Sequence, residues 1–190
     1  TGTDPSTTCS DNAVITVTVN ALPTVTASSN PVSPLCDGDL LTLTGGGATS
    51  YLWDNSVVDN TAFTPAVGTV TYTVTGTDVN SCINTDMITV TVNALPTVTA
   101  SSNPVSPLCD GDLLTLTGGG ATSYLWDNSV VDNIAFTPAV GTVIYTVTGT
   151  DGNTCTNTAT IPVTVNALPT VTASSNPVSP LCDGDLLTLT

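Results

Sequence analysis

Lysine, arginine, histidine, glutamate and glutamine are all missing from this 190-residue chain, and its 15 acids are all aspartate. A formal charge of −15 with nothing to offset it leaves no surface for nucleic acid or anionic lipid, and repels both. General acid–base chemistry has only aspartate to draw on, and a nucleophilic serine or threonine would have no histidine or lysine to activate it. Lys–Asn isopeptide cross-links are excluded, and trypsin-like proteases find no site to cut. Long apolar runs are missing as well. Threonine interrupts every hydrophobic stretch before it reaches the roughly 18–20 residues of a membrane span, so no direct membrane insertion is expected. No basic segment with an apolar core marks a secretion signal.

What the chain does contain is threonine, 40 of 190 residues, in a sequence that is 40% hydrophobic and only 8% charged. That balance argues against disorder. It is organised by repetition. Asn20-Ala21-Leu22-Pro23-Thr24-Val25 returns at Asn93 and at Asn166, a period of 73 residues. Between 20–92 and 93–165 there are eight differences, among them Thr61/Ile134, Val79/Gly152, Asp86/Ala159 and Thr89/Pro162. Residues 166–190 repeat 20–44 without change, and 1–19 match the end of a repeat with one extra residue before the cysteine. The expected division is therefore the closing strands of one repeat (1–19), two full repeats (20–92 and 93–165) and the opening strands of another (166–190), read as a window from a longer tandem array.

Within a repeat the apolar period is two. Val70, Tyr72 and Val74 alternate with Thr71, Thr73 and Thr75; Ile88, Val90 and Val92 alternate with Thr89 and Thr91. This pattern predicts strands with one buried face. Breakers separate them at Ser28 to Pro31, Asp37 to Asp39, Gly45 to Gly47, Asp54-Asn55 and Asp78 to Ser81. Strands are expected near 23–29, 40–46, 50–55, 61–65, 69–77 and 84–92, with no helix. Six or seven short strands at this spacing predict an all-β sandwich.

The motifs in order are Cys36-Asp37-Gly38-Asp39, Leu41-Thr42-Leu43-Thr44, Tyr51-Leu52-Trp53-Asp54, Thr71-Tyr72-Thr73-Val74-Thr75 and Ser81-Cys82, closing on Ile88-Thr89-Val90-Thr91-Val92. In this series each repeat resembles the tandem immunoglobulin-like or PKD-like repeats of large secreted and cell-surface proteins of Bacteroidota-type bacteria. The glycine-rich turn that follows Trp-Asp in PKD modules is here Asn55-Ser56-Val57-Val58. The resemblance implies tandem immunoglobulin-like sandwiches in a linear array, serving as spacers or adhesive stalks.

The six cysteines, Cys9, Cys36, Cys82, Cys109, Cys155 and Cys182, are spaced alternately by 27 and 46 residues. Without Cys-x-x-Cys or histidine, zinc is a poor fit. An even, periodic set in a threonine-rich β chain reads as disulfides, hence as an oxidising, extracellular or cell-surface setting. Two pairings present themselves: within a repeat (Cys36–Cys82, Cys109–Cys155) or between repeats. In immunoglobulin topology Cys36 and Cys82 fall at opposite ends of one sandwich, roughly 25 Å apart. A disulfide spans Cα atoms only about 4.4–6.8 Å apart. The expected bond is therefore Cys36–Cys155, with equivalents continuing along the array, each worth about 3–5 kcal/mol.

Trp53 and Trp126 read as core residues rather than a sugar-stacking platform, because aromatics make up only 4% of the chain. Asp37/Asp39, Asp110/Asp112 and Asp183/Asp185 read as solvated turn acids. Weak Ca²⁺ binding at junctions is the alternative, although two carboxylates fall well short of six to eight oxygen ligands. No catalytic residue, cofactor or dedicated metal site is expected. The expected role is a structural segment of an extracellular fibre, whose partners are neighbouring repeats of the same chain and identical chains packed alongside. A binding module recognising glycans or surface proteins through the repeat turns is the alternative.

Overall fold

In a computed structural model, which describes residues 1–3, 5–176, 178, 180–186 and 188–189, all regular structure is β. Asp4, in the expected segment 1–19, and Pro177, Ser179, Leu187 and Thr190, in 166–190, lie outside the described residues. Among the described residues no helix is long and apolar enough to cross a membrane. The chain divides into two compact units, Thr1–Ala94 and Leu95–Thr190.

The first unit opens with β1 (Gly2–Thr3) and β2 (Ser10–Asp11), followed by β3 (Thr26–Asn30), β4 (Leu35–Cys36), β5 (Leu41–Gly46), β6 (Ser50–Trp53), β7 (Ala62–Phe63), β8 (Gly68–Thr77) and β9 (Ile83–Asn93). Sheets β3-β5-β7 and β4-β9-β8-β6 form a sandwich. Its core is made by the inward members of each alternating run. Leu41 and Leu43 of the smaller sheet meet Trp53, Tyr72, Val74, Val90 and Val92 of the larger, all buried. The outward members are the threonines, and cross-strand hydroxyls pair at Thr69–Thr91 (3.0 Å) and Thr71–Thr89 (2.9 Å).

The second unit repeats this plan in β10 (Thr99–Asn103), β11 (Leu108–Cys109), β12 (Leu114–Gly119), β13 (Ser123–Trp126), β14 (Ala135–Phe136), β15 (Gly141–Thr150) and β16 (Thr156–Asn166). Its sheets are β10-β12-β14 and β11-β16-β15-β13. The partial repeats keep the register of the full ones. β1 and β2 pair Gly2 with Asp11 as β8 and β9 pair Gly76 with Asn84. β17 (Ser175–Asn176) pairs Ser175 with Leu189 of β18 (Thr188–Leu189), as Ser102 pairs with Leu116.

Two details differ from the sequence reading. The first strand begins at Thr26 rather than near 23, because Pro23 has no N–H for a ladder; its carbonyl is taken instead by the Asn84 side chain at 2.9 Å. The short strand β4 pairs parallel with β9, Leu35 opposite Val92 and Cys36 opposite Asn93. β9 is therefore flanked on both sides at its end instead of forming a free edge. Gly45 and Gly46 close β5, within the strand expected near 40–46. A Cβ on Gly45 would land on the Tyr51 ring, whose hydroxyl donates to the Ala48 carbonyl at 2.7 Å and accepts the Ala48 N–H at 2.8 Å.

Gly47 does act as a turn residue, at φ +80°, and a Cβ there would run into the Thr24 carbonyl. Gly38, at φ +92°, faces open space. Both Gly47→Ala and Gly38→Ala should incur the left-handed strain, about 1–3 kcal/mol. Gly47→Ala should cost clearly more because backbone must also move. Urea unfolding of the two variants checks the order.

Trp53 is seated by an acid. Its Nε1–H donates to Asp59 Oδ1 at 2.8 Å, and the same oxygen accepts the Gly45 N–H at 2.8 Å. Asp132 does the same for Trp126 and Gly118. Asp59→Ala leaves the buried indole donor unmet and should cost about 1–3 kcal/mol, whereas Asp59→Asn keeps an acceptor and should cost less. Thermal unfolding followed by Trp fluorescence compares them.

Candidate functional site

Five of the cysteines, Cys36, Cys82, Cys109, Cys155 and Cys182, sit in two kinds of turn, each organised by an aspartate. In the Cys36 turn, Asp39 Oδ2 accepts the Cys36 N–H at 2.8 Å, the Asp39 N–H returns to the Cys36 carbonyl at 3.0 Å, and the Asp37 N–H donates to the Asn93 carbonyl at 2.8 Å. The carboxylate thus closes the turn on itself and the backbone ties it to the last residue of β9. Asp112 and Asp185 hold Cys109 and Cys182 in the same way, at 2.8 and 2.7 Å. In the β8–β9 hairpin, Asp78 Oδ1 accepts the N–H groups of Asn80 and Cys82, both at 2.8 Å. Asp151 accepts from Asn153 at 2.8 Å and Cys155 at 2.9 Å. Aspartate suits this task because its short arm reaches backbone two to four residues away.

Asp37, Asp39, Asp110, Asp112, Asp183 and Asp185 are exposed turn residues, and the carboxylates of Asp39, Asp112 and Asp185 also hydrogen-bond within their turns. Asp54 and Asp127 likewise accept the N–H groups of Thr73 and Thr146, both at 3.0 Å. Among the described residues no three Cys or Asp side chains converge in the manner of a metal site.

Within one unit, Cys36 lies opposite Asn93 at the end of β9, while Cys82 immediately precedes the first residue of that strand. The 11 residues of β9 at about 3.3 Å each hold the two turns at opposite ends of the sandwich. A bond between them is excluded. Cys36 and Cys155 are each disulfide-bonded. Cys9, Cys82, Cys109 and Cys182 are thiols, so within these residues the sequence expectation of six bonded cysteines is met by two.

A second feature of each unit is a cleft beside the β6–β7 connection that the sequence gave no signal for. Phe63 and Tyr72 meet edge to face there, centroids 5.9 Å apart and planes at 69°; Phe136 and Tyr145 do so at 5.7 Å and 67°. Burial, then the neighbouring Asp54 carboxylate, raises the Tyr72 hydroxyl above its usual 10.0. Burial and Asp127 do the same for Tyr145. Both phenols ionise more readily in the unfolded chain, so their contribution to stability is complete below 10.0 and lost as pH rises through the higher folded values. Stability should fall above pH 10, and the Tyr72→Phe/Tyr145→Phe double variant should show a shallower fall in urea titrations across that range.

No family profile matches the chain, and no curated protein matches it. Among solved structures it is similar to the fibronectin(III)-like modules of Clostridium thermocellum CbhA, with 13% identity and a TM-score of 0.35 over 76% of this chain and 95% of that one.

Proposed function

We propose that this chain is a structural segment of a long extracellular repetitive fibre or stalk of a surface adhesin, with neighbouring repeats joined by sulfur. The observation that carries the reading is that Cys36 of the first repeat and Cys155 of the second are the disulfide-bonded cysteines while Cys9, Cys82, Cys109 and Cys182 are thiols, and we assign the two to each other. The same seats recur at Cys82, Cys109 and Cys182, each with its backbone N–H held by an aspartate. A repeated half-bond of this kind suits an array that grows by adding identical links. Stable disulfides belong to oxidising compartments, which favours the outside of a cell. A repeat of 73 residues also buries a modest core, so covalent reinforcement at each joint is useful.

Digestion with an Asp-directed protease under non-reducing conditions should recover a Cys36 peptide linked to a Cys155 peptide. A Cys36–Cys82 product would defeat the joint. For the fibre, a chain lengthened to many repeats and oxidised should image by electron microscopy as an unbranched thread whose contour grows in proportion to repeat number. Compact particles of fixed size would overturn the reading.

A further inference from the structure

The cleft beside β7 is present at equivalent residues in both units, about 280 Å³ in the first and about 390 Å³ in the second. In the first unit its apolar wall includes Val58, Phe63, Pro65 and Ala66, with Tyr72 among the lining residues. The Tyr72 ring is only 5% exposed. Its hydroxyl makes no hydrogen bond to any described residue, although every fully enclosed side-chain oxygen and nitrogen among those residues is partnered. The hydroxyl of this largely buried residue is therefore not fully enclosed, and the residue lines the cleft. Tyr145 stands in the same position in the second unit, also 5% exposed.

The rim is held in unusual backbone. Asn55 and Ser56 have φ of 51° and 60°, and Asn128 and Ser129 have 52° and 60°. Left-handed non-glycine residues persist where surrounding structure enforces them, and they cluster at ligand clamps. No charged side chain lines either cleft, in a chain with 15 carboxylates. One of the eight differences between repeats falls on the wall: Thr61 lines the first cleft and Ile134 the second.

We propose that each cleft is a binding site for an uncharged aromatic group of about one ring carrying a single hydrogen-bond acceptor, with the ring against Phe63 or Phe136 and the acceptor on the Tyr72 or Tyr145 hydroxyl. At about 280 and 390 Å³ the clefts stand at or just below the small end of sites for drug-sized ligands, roughly 300 Å³, which suits a single ring. The acceptor follows from a phenol held protonated, and neutrality from the uncharged wall beside Asp54 and Asp127. The second site, wider and with isoleucine for threonine, should bind more tightly. The site is independent of the fibre reading, because it lies within one unit.

Acetophenone is a neutral one-ring ketone, and benzoate its anionic counterpart of similar shape. Titration of the oxidised chain followed by methyl NMR should give saturable shifts at Ile134 and Val58 with acetophenone and none with benzoate. Tyr145→Phe keeps the ring and its packing, and should weaken acetophenone about 2–12-fold at Ile134, the value of one hydrogen bond, while leaving Val58 unchanged. Thr61→Ile should bring the first site up to the affinity of the second. Non-saturating shifts, equal response to benzoate, or unchanged affinity in Tyr145→Phe would overturn the assignment.

Discussion

A carboxylate accepting a backbone N–H is the interaction on which the rest of this molecule depends. With no lysine, arginine or histidine, none of the aspartates can be neutralised by a side chain. Most instead take peptide N–H donors: Asp39 and Asp78 at the cysteine turns, Asp54 at β8, Asp59 at β5 and the Trp53 indole, and Asp86 at β3. Charge-assisted bonds of this kind are stronger than neutral ones. They also occupy turn N–H groups that the ladders leave unpaired. A chain that looks electrostatically one-sided thus distributes its negative charge over local backbone dipoles, each acid beside a turn or strand end it helps to hold.

The differences between the two repeats show how much latitude that scheme allows. Thr71 and Thr89 bond across β8 and β9, and in the second unit the same pair of positions is Ile144 opposite Pro162. A hydroxyl pair has been exchanged for an apolar pair at both ends together. Proline is tolerated because alternate residues of β16 point their N–H outward: Thr164 donates to Ser106 Oγ at 2.8 Å, and Pro162 has the same parity. β11 pairs only with Val165 and Asn166, so no ladder partner is lost at 162. Asp86 accepts the Ala27 N–H at 2.8 Å; its counterpart Ala159 packs against the core cluster instead.

The all-β class and the paired alternations were legible because they rest on period-two patterning of ten residues or so, and the buried tryptophans because so few aromatics are available to a sandwich core. Trp53 and Trp126 are 3% and 4% exposed. β4 escaped notice because two residues carry no period, and its pairing is parallel and distant in sequence. The glycine triplet was read both as strand end and as breaker, because glycine marks both turns and close approach. Only the Tyr51 ring, folded over Gly45, tells which applies. The roles of the aspartates were half legible: turn positions are visible in the motif, but which N–H each oxygen meets depends on backbone geometry. The cleft had no signature, since Asn55 to Ala66 reads as an ordinary loop until Phe63 and Tyr72 are brought together.

The short strand β4 has a consequence for how each sheet could meet a foreign strand. Leu35 and Cys36 occupy the outer side of β9 at Val92 and Asn93, and β11 occupies Val165 and Asn166 of β16 in the same way. Those stretches offer no open backbone for another chain to add to. The opposite border of the sheet is β6 or β13, only four residues long. Brief or covered borders are poor templates for edge-to-edge growth, which guards a threonine-rich sheet that has no lysine to do so.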